Sequence, residues 1–246
     1  MGKRIIQQAR GRGGPTYRSP SHRFVGKPTH RPLDDKEKKG VVHGIVKDII
    51  KCPGHYAPLA FVEYDEMDSR VGLIIAPKDL KVGQIISSGL MAELKTGNTL
   101  PLKSIPEGTS VYNIELQPGD LGKLVRTSGA SAKILSKVKG KVMIKLPSQK
   151  RKELDPECRA TIGVISGAGR KEKPIYKAGR SHFKWKARNK MWPKTAAGAM
   201  NATDHPFGSG RGGPTYGGRA SSIAPKNAPP GRKVGMIRPK HTGRNK

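Results

Sequence analysis

Ala132-Lys133-Ile134-Leu135-Ser136-Lys137-Val138-Lys139-Gly140-Lys141-Val142-Met143-Ile144-Lys145-Leu146 decides the fold class. Apolar residues alternate on both sides of Lys139-Gly140, and successive side chains of a strand point to opposite faces. The dipeptide supplies the tight turn that joins two such runs into a hairpin. Downstream, Asp155-Pro156 pairs an N-cap with a proline at the first helical position and predicts one helical turn. A strand over 160–165 closes this series. Upstream, 123–127 and 110–116 read as its first strands. Before them Gly97-Asn98, Pro101, Pro106 and Gly108 crowd the chain with breakers. A first series precedes those. Residues 41–50 are rich in β-branched side chains and stop at Pro53-Gly54. Residues 59–64 and 70–76 flank the polar loop 65–69 as a hairpin, and 82–86 adds a short strand. No helical period persists beyond about a dozen residues. The expectation is an all-β protein of two small barrels, roughly 60 to 70 residues each, with a boundary near 105–112. OB-fold and SH3-like barrels both fit, and the pattern does not separate them.

Charge divides the chain differently. The formal net charge is +30, yet residues 41–169 carry only +5 of it. Residues 170–246 hold 19 Lys and Arg against 2 acids, and residues 1–40 hold 11 against 3. Both ends are rich in Gly and Pro, and the apolar fraction of 34% is too small for one core spanning 246 residues. Two cationic arms on a near-neutral centre call for a polyanion, because Lys and Arg that neutralise phosphates release condensed counterions. No run approaches the ~18 apolar residues of a membrane span. Met1-Gly2-Lys3-Arg4-Ile5-Ile6 lacks the apolar stretch of a signal peptide, and Ile6 stands where myristoylation wants Ser or Thr. Cys52 and Cys158 are the only cysteines, which points to a reducing compartment and an intracellular protein. The sequon Asn201-Ala202-Thr203 then has no meaning.

The arms interleave aromatics with cations. Arg4, Arg10, Arg12, Arg18, Arg23, Lys27 and Arg31 run beside Tyr17 and Phe24. The stretch 182–192 gathers His182, Lys184, Trp185, Lys186, Arg188, Lys190 and Trp192. Aromatic faces stack on unpaired bases while cations grip the backbone, a combination suited to structured RNA. Gly11-Arg12-Gly13-Gly14-Pro15-Thr16-Tyr17 returns as Gly210-Arg211-Gly212-Gly213-Pro214-Thr215-Tyr216, whose glycines let backbone approach phosphates closely. Enzyme readings fail. Gly208-x-Gly210-x-x-Gly213 has no strand before it and Pro214 after it, and there is no GxxxxGK[ST] loop. Cys52-x-x-His55 is half a zinc site without a second pair. Glu63, Asp65, Glu66 and Asp68 read as solvated turn acids. His205, before Pro206, reads as an RNA contact or a turn cap.

The segment Met200-Asn201-Ala202-Thr203-Asp204-His205-Pro206-Phe207-Gly208 resembles the signature of the L2 family of large-subunit ribosomal proteins. So do Gly97-Asn98-Thr99-Leu100-Pro101-Leu102, 105–109, 158–164, 177–180 and 227–235, in that order along nearly the whole chain. Phe207 and the short N-terminal arm look archaeal. The resemblance implies an OB-fold domain at 37–109 and an SH3-like domain at 110–192, flanked by basic extensions at 1–36 and 193–246. It further implies a structural role in the large subunit: binding 23S-type rRNA, supporting assembly and subunit association, and lining the approach to the peptidyl-transferase region. The partners it implies are large-subunit rRNA, other large-subunit proteins and the small subunit at a bridge, with neither membrane nor small-molecule substrate. No catalytic or metal-ligating residue is expected, and no cofactor beyond Mg²⁺ carried by the rRNA. His205 matches the family histidine once proposed to assist peptide-bond formation, and is read here as structural or positioning. The RNA-binding candidates are completed by Arg170, Lys177, Arg180, Asn201, Arg211, Arg219, Arg232, Lys233, Arg238, Lys240 and Arg244. One departure is Ala196-Ala197 where the family usually has Arg-Gly, which removes an expected guanidinium–phosphate contact. The competing reading is a general, chromatin-like nucleic-acid-binding protein. An rRNA-modifying enzyme, the third, lacks a cofactor and an acid–base constellation.

Overall fold

Alternating burial along β1 (Val41–Ile50) sets Val42, Gly44 and Val46 inward and fixes the first layer of the fold. In the computed structural model the described residues are 3, 6, 10, 12–15, 17–64, 71–138, 140–205, 207–209, 227 and 229. Their strands continue with β2 (Leu59–Tyr64), β3 (Val71–Ile75), β4 (Ile85–Gly89), β5 (Thr99–Pro101), β6 (Ser110–Tyr112), β7 (Ala132–Val138), β8 (Lys141–Lys145), β9 (Arg151–Leu154) and β10 (Arg159–Ile162). A short helix α1 (Asp35–Lys39) precedes them and α2 (Ala178–Lys186) follows. All ten strands form one sheet in the order β3-β2-β1-β4-β5-β10-β6-β7-β8-β9. Neighbours pair antiparallel except β4 and β5, which meet in parallel at the single pair Ser88↔Thr99. The protein is all-β in its centre.

The chain separates into two compact units, Ser21–Pro174 and Met1–Pro20 together with Ile175–Lys246. The first holds every strand among the described residues. One apolar cluster lies within β1–β4, built on Val46, Ala60, Val62, Ile74 and Ile86. A larger one joins Leu100, Leu102 and Ile105 to Val111, Ile134, Ile144 and Ala160. A third lies between them, where Cys52, Leu59 and Ile75 meet Tyr112 and Ile165. There the Tyr112 hydroxyl donates to the Ile75 carbonyl at 3.1 Å.

The hairpin over 132–146 forms, with Val138 paired to Lys141 and Gly140 at φ +71°. The polar loop 65–69 falls outside the described residues, while the β2–β3 pairing on either side of it forms. Five expectations need correction. The strand read over 160–165 runs Arg159–Ile162 and breaks at Gly163, φ +117°, leaving Ile165 only an isolated bridge to Pro77. The strand read at 82–86 runs later, because 82–84 form a turn with Gly83 at φ +84°. The strand read over 110–116 stops at Tyr112, since Asn113 takes φ +47°. Residues 123–127 form only an isolated bridge, Ile114↔Leu124, with Val125 at φ +51° interrupting any ladder. Asp155-Pro156 makes a turn rather than a helix: the Asp155 carboxylate accepts from the Glu157 amide at 2.8 Å and closes it locally.

A buried ion network ties remote segments to β10. Arg159, 2% exposed, donates through Nη1 to both Glu37 oxygens at 2.9 and 3.0 Å. Its Nη2 reaches Glu115 at 2.7 Å, and its Nη1 also donates to the Arg31 carbonyl at 2.7 Å. The Arg31 guanidinium lies 3.7 Å from Glu37 and pairs with Asp34. The two guanidinium charges and the Glu37 and Glu115 carboxylates balance, the condition under which buried ions are tolerated. Burial pushes the Glu115 carboxyl up, but the Arg159 hydrogen bonds and charge outweigh it and hold it below its usual value. His30 lies against the same cluster. Burial, then the Arg159 charge, lowers its pKa to about 4, so the ring is neutral and its Nε2–H donates to the Asn113 carbonyl.

Candidate nucleic-acid interface

The cationic tract 177–192 folds into α2 and a defined C-terminal stop. At nine residues, and with no side-chain hydrogen bond at its Lys177 N-cap, the helix is too short to be stable alone. Its end is well made. Asn189 takes φ +51°, its amide donates to Lys186 O at 2.9 Å, and Lys190 N donates to Trp185 O at 3.0 Å. That pair of bonds is a Schellman motif with asparagine in the left-handed position. The Asn189 Nδ2 then donates to the carbonyls of Pro15 and Arg18, at 2.6 and 2.9 Å, and pins the N-terminal segment to the helix end. Lys184 and Lys186 sit in the last turn, where the helix dipole favours cations.

Around this joint the aromatics gather. Arg10 lies over the Tyr17 ring at 5.5 Å. His182 meets Trp192 edge to face at 6.5 Å, and Phe183 at 5.3 Å. Lys194 covers the Trp185 ring at 5.9 Å. A cleft of about 230 Å³ opens between Tyr17, His182, Lys186, Asn189, Lys190 and Trp192. His182 and Lys186 line it because their i, i+4 spacing places them on one face of α2, and Asn189 enters from the helix stop.

The loop 200–209 is closed by its own hydrogen bonds. Ser209 N donates to Met200 O at 3.0 Å and His205 N to Asn201 O at 3.1 Å. A Cβ on Gly208 would stand 2.2 Å from Asn201 O, so only glycine fits. The Phe207 amide donates to His205 Nδ1 at 3.1 Å, which makes His205 a turn cap whose Nε2 alone remains for outside contacts. Lys3 joins the loop through its amide, 2.7 Å from Thr203 O, and its ammonium, 3.2 Å from Asp204.

The remaining candidates divide. Arg12, Arg18, Arg23, Lys27, Lys177, Arg180, Lys184, Lys186, Lys190 and Asn201 are exposed. Arg188 is half-buried. Arg31 is turned into the ion network, its side chain 14% exposed. Arg170 stacks over Tyr56 at 3.6 Å and donates to Ser128 at 3.1 Å. Arg4, Arg211, Arg219, Arg232, Lys233, Arg238, Lys240 and Arg244 lie outside the described residues, as does the second GRGGPTY copy. Phe183, read with the basic–aromatic cluster, is 67% exposed, and the residue sequence reasoning passed over is Tyr176, 80% exposed. A large aromatic inside a cationic tract was the available signal. Ala196-Ala197 leads into a 3₁₀ turn at Ala197–Ala199. Elsewhere His55 Nδ1 lies 3.1 Å from Cys52 Sγ, and among the described residues no three His, Cys, Asp or Glu side chains gather to hold a metal. Glu63 pairs with Lys47 at 2.6 Å. No helix of the described residues is long and apolar enough to cross a membrane.

Comparison with known proteins gives two family matches. Residues 3–88 match the RNA binding N-terminal domain of Ribosomal Proteins L2, and residues 95–228 match the C-terminal domain of the same proteins. The chain is 50% identical over 244 residues to the large ribosomal subunit protein uL2 of Methanopyrus kandleri, covering 99% of this chain and 98% of that one. The uL2 proteins of Methanocaldococcus jannaschii and Haloarcula marismortui are also 50% identical, over 243 and 244 residues, with 99% of this chain covered in each case and 99% and 98% of theirs.

Proposed function

We infer the role of this protein from one premise: the chain belongs to the ribosomal protein L2 family, in its archaeal type. It is a structural constituent of the large ribosomal subunit and not an enzyme. Its mechanism is binding of 23S-type rRNA by charge neutralisation and shape, with an OB-fold barrel followed by an SH3-like barrel and a basic extension at each end. The observation that carries this is the division of charge: a centre of +5 between ends that together hold +25. The exposed cations of α2 and the aromatics beside them supply phosphate grips and stacking faces, while the arms order against RNA. The extensions are 1–36 and 193–246, and the barrels 37–109 and 110–192. In the assembled particle the protein supports subunit assembly and association and the surroundings of the peptidyl-transferase centre. Mg²⁺ enters only with the RNA, and His205 holds its loop in shape.

Crosslinking and sequencing of RNA bound in cells, after washing at high salt, tests this reading. Reads concentrated at a few places in large-subunit rRNA are expected. Reads spread over many RNAs, or capture of DNA instead, overturn it in favour of general nucleic-acid binding.

A further inference from the structure

The cleft beside α2 has a composition that narrows its occupant. Two lysines, Lys186 and Lys190, line it, and no carboxylate does among the described residues. Trp192 is only partly covered, by the His182 edge at 72°. One face of Tyr17 is taken by Arg10. The walls are fixed relative to each other, because Asn189 is bound to both Pro15 and Arg18. A fixed aromatic slot lined by two cations suits a planar, uncharged ring joined to an anion, and its volume admits one such ring system rather than a base pair. Trp185 does not line the cleft, and Lys194 lies over one face of its ring.

We propose that this cleft receives a single unpaired nucleobase of the bound RNA, stacked on Trp192, with the adjoining phosphate held between Lys186 and Lys190. The proposal rests on the RNA-binding reading above and assigns it a particular ligand geometry. A base inside a duplex offers no free face, so the nucleotide comes from a bulge, loop or junction.

The test uses the full-length protein and purified large-subunit rRNA, with ultraviolet crosslinking read by mass spectrometry and affinity measured over a salt series. The expected result is a crosslink from Trp192 or Tyr17 to one unpaired nucleotide. Trp192→Ala abolishes that crosslink and weakens binding roughly 10-fold with the salt slope unchanged, and Trp192→Phe restores both. Lys186→Ala and Lys190→Ala each lower the salt slope by about one and leave the crosslink in place. Crosslinks scattered over many or paired nucleotides overturn the proposal, as does a crosslink that survives Trp192→Ala. Failure of Trp192→Phe to restore binding also overturns it, since Trp192 would then be holding the arm together rather than stacking. If the wild-type protein shows no salt-resistant binding to this rRNA, the ribosomal reading fails first. If it binds without a crosslink in the cleft, only the cleft assignment fails.

Discussion

Arg159 shows how little of a buried site is written locally. In sequence it is one basic residue inside a strand-like run, and its partners Glu115 and Glu37 stand 44 and 122 positions away. No period or spacing links them; only closure of the sheet does. Arg159→Met leaves Glu115 buried without its paired cation and Glu37 with only the Arg31 guanidinium at 3.7 Å, and is expected to destabilise the protein by about 3–5 kcal/mol in urea denaturation. Replacing Arg159, Glu37 and Glu115 together by apolar residues of similar volume is expected to recover most of that loss. His30 adds a pH signature. Its folded pKa of about 4 lies below the ~6.5 of the unfolded chain, so the unfolded state binds the extra proton between those values. The stability it contributes is therefore complete above about pH 6.5 and is lost as the pH falls towards 4. Urea midpoints measured across that window should fall more steeply for the wild type than for His30→Asn. Equal slopes would mean that the ring is not buried neutral.

At the level of elements, sequence reading succeeded where one face is buried and failed where the strand is short or defined by its partner. Alternation found β7 and β8, because a half-buried strand must alternate, while β-branched content found β1 and apolar runs about a polar loop found β2 and β3. Sequence reading missed β5, whose Thr99-Leu100-Pro101 reads as part of a breaker-rich loop and becomes a strand through pairing with β10. It missed β9 too, since Arg151-Lys152-Glu153 are exposed and charged, leaving only Leu154 buried. It left α2 as a tract of charges and aromatics because nine residues are too few to show a period. The packing between the two halves of the sheet was equally illegible. Tyr112→Phe removes the hydroxyl that reaches Ile75 and is expected to lower unfolding free energy by about 0.5–1.5 kcal/mol. An unchanged unfolding curve would show that bond to be replaced by another. Gly89, at φ +139°, would place a Cβ 2.3 Å from the Gly40 carbonyl. Gly89→Ala should therefore destabilise the junction of β4 with α1 by about 1–3 kcal/mol or more in the same assay.

For the whole molecule, charge was the most legible property, and it needs no folded structure to be read. Deleting 197–246 removes residues that lie outside Ser21–Pro174, the unit holding every strand. The truncated chain is expected to keep the circular dichroism and urea midpoint of the full protein but to be recovered poorly in large subunits after a high-salt wash. Normal recovery would show that the barrels alone anchor the protein. The sheet itself has a consequence for how RNA is held. Because β3 at one edge and β9 at the other belong to a single hydrogen-bonded array, the two ends cannot search for ligands independently. RNA that touched both ends would meet the second as an intramolecular partner, at an effective concentration set by the fixed span between them. Two individually weak grips would then release only when both let go, and avidity would set the residence time on RNA.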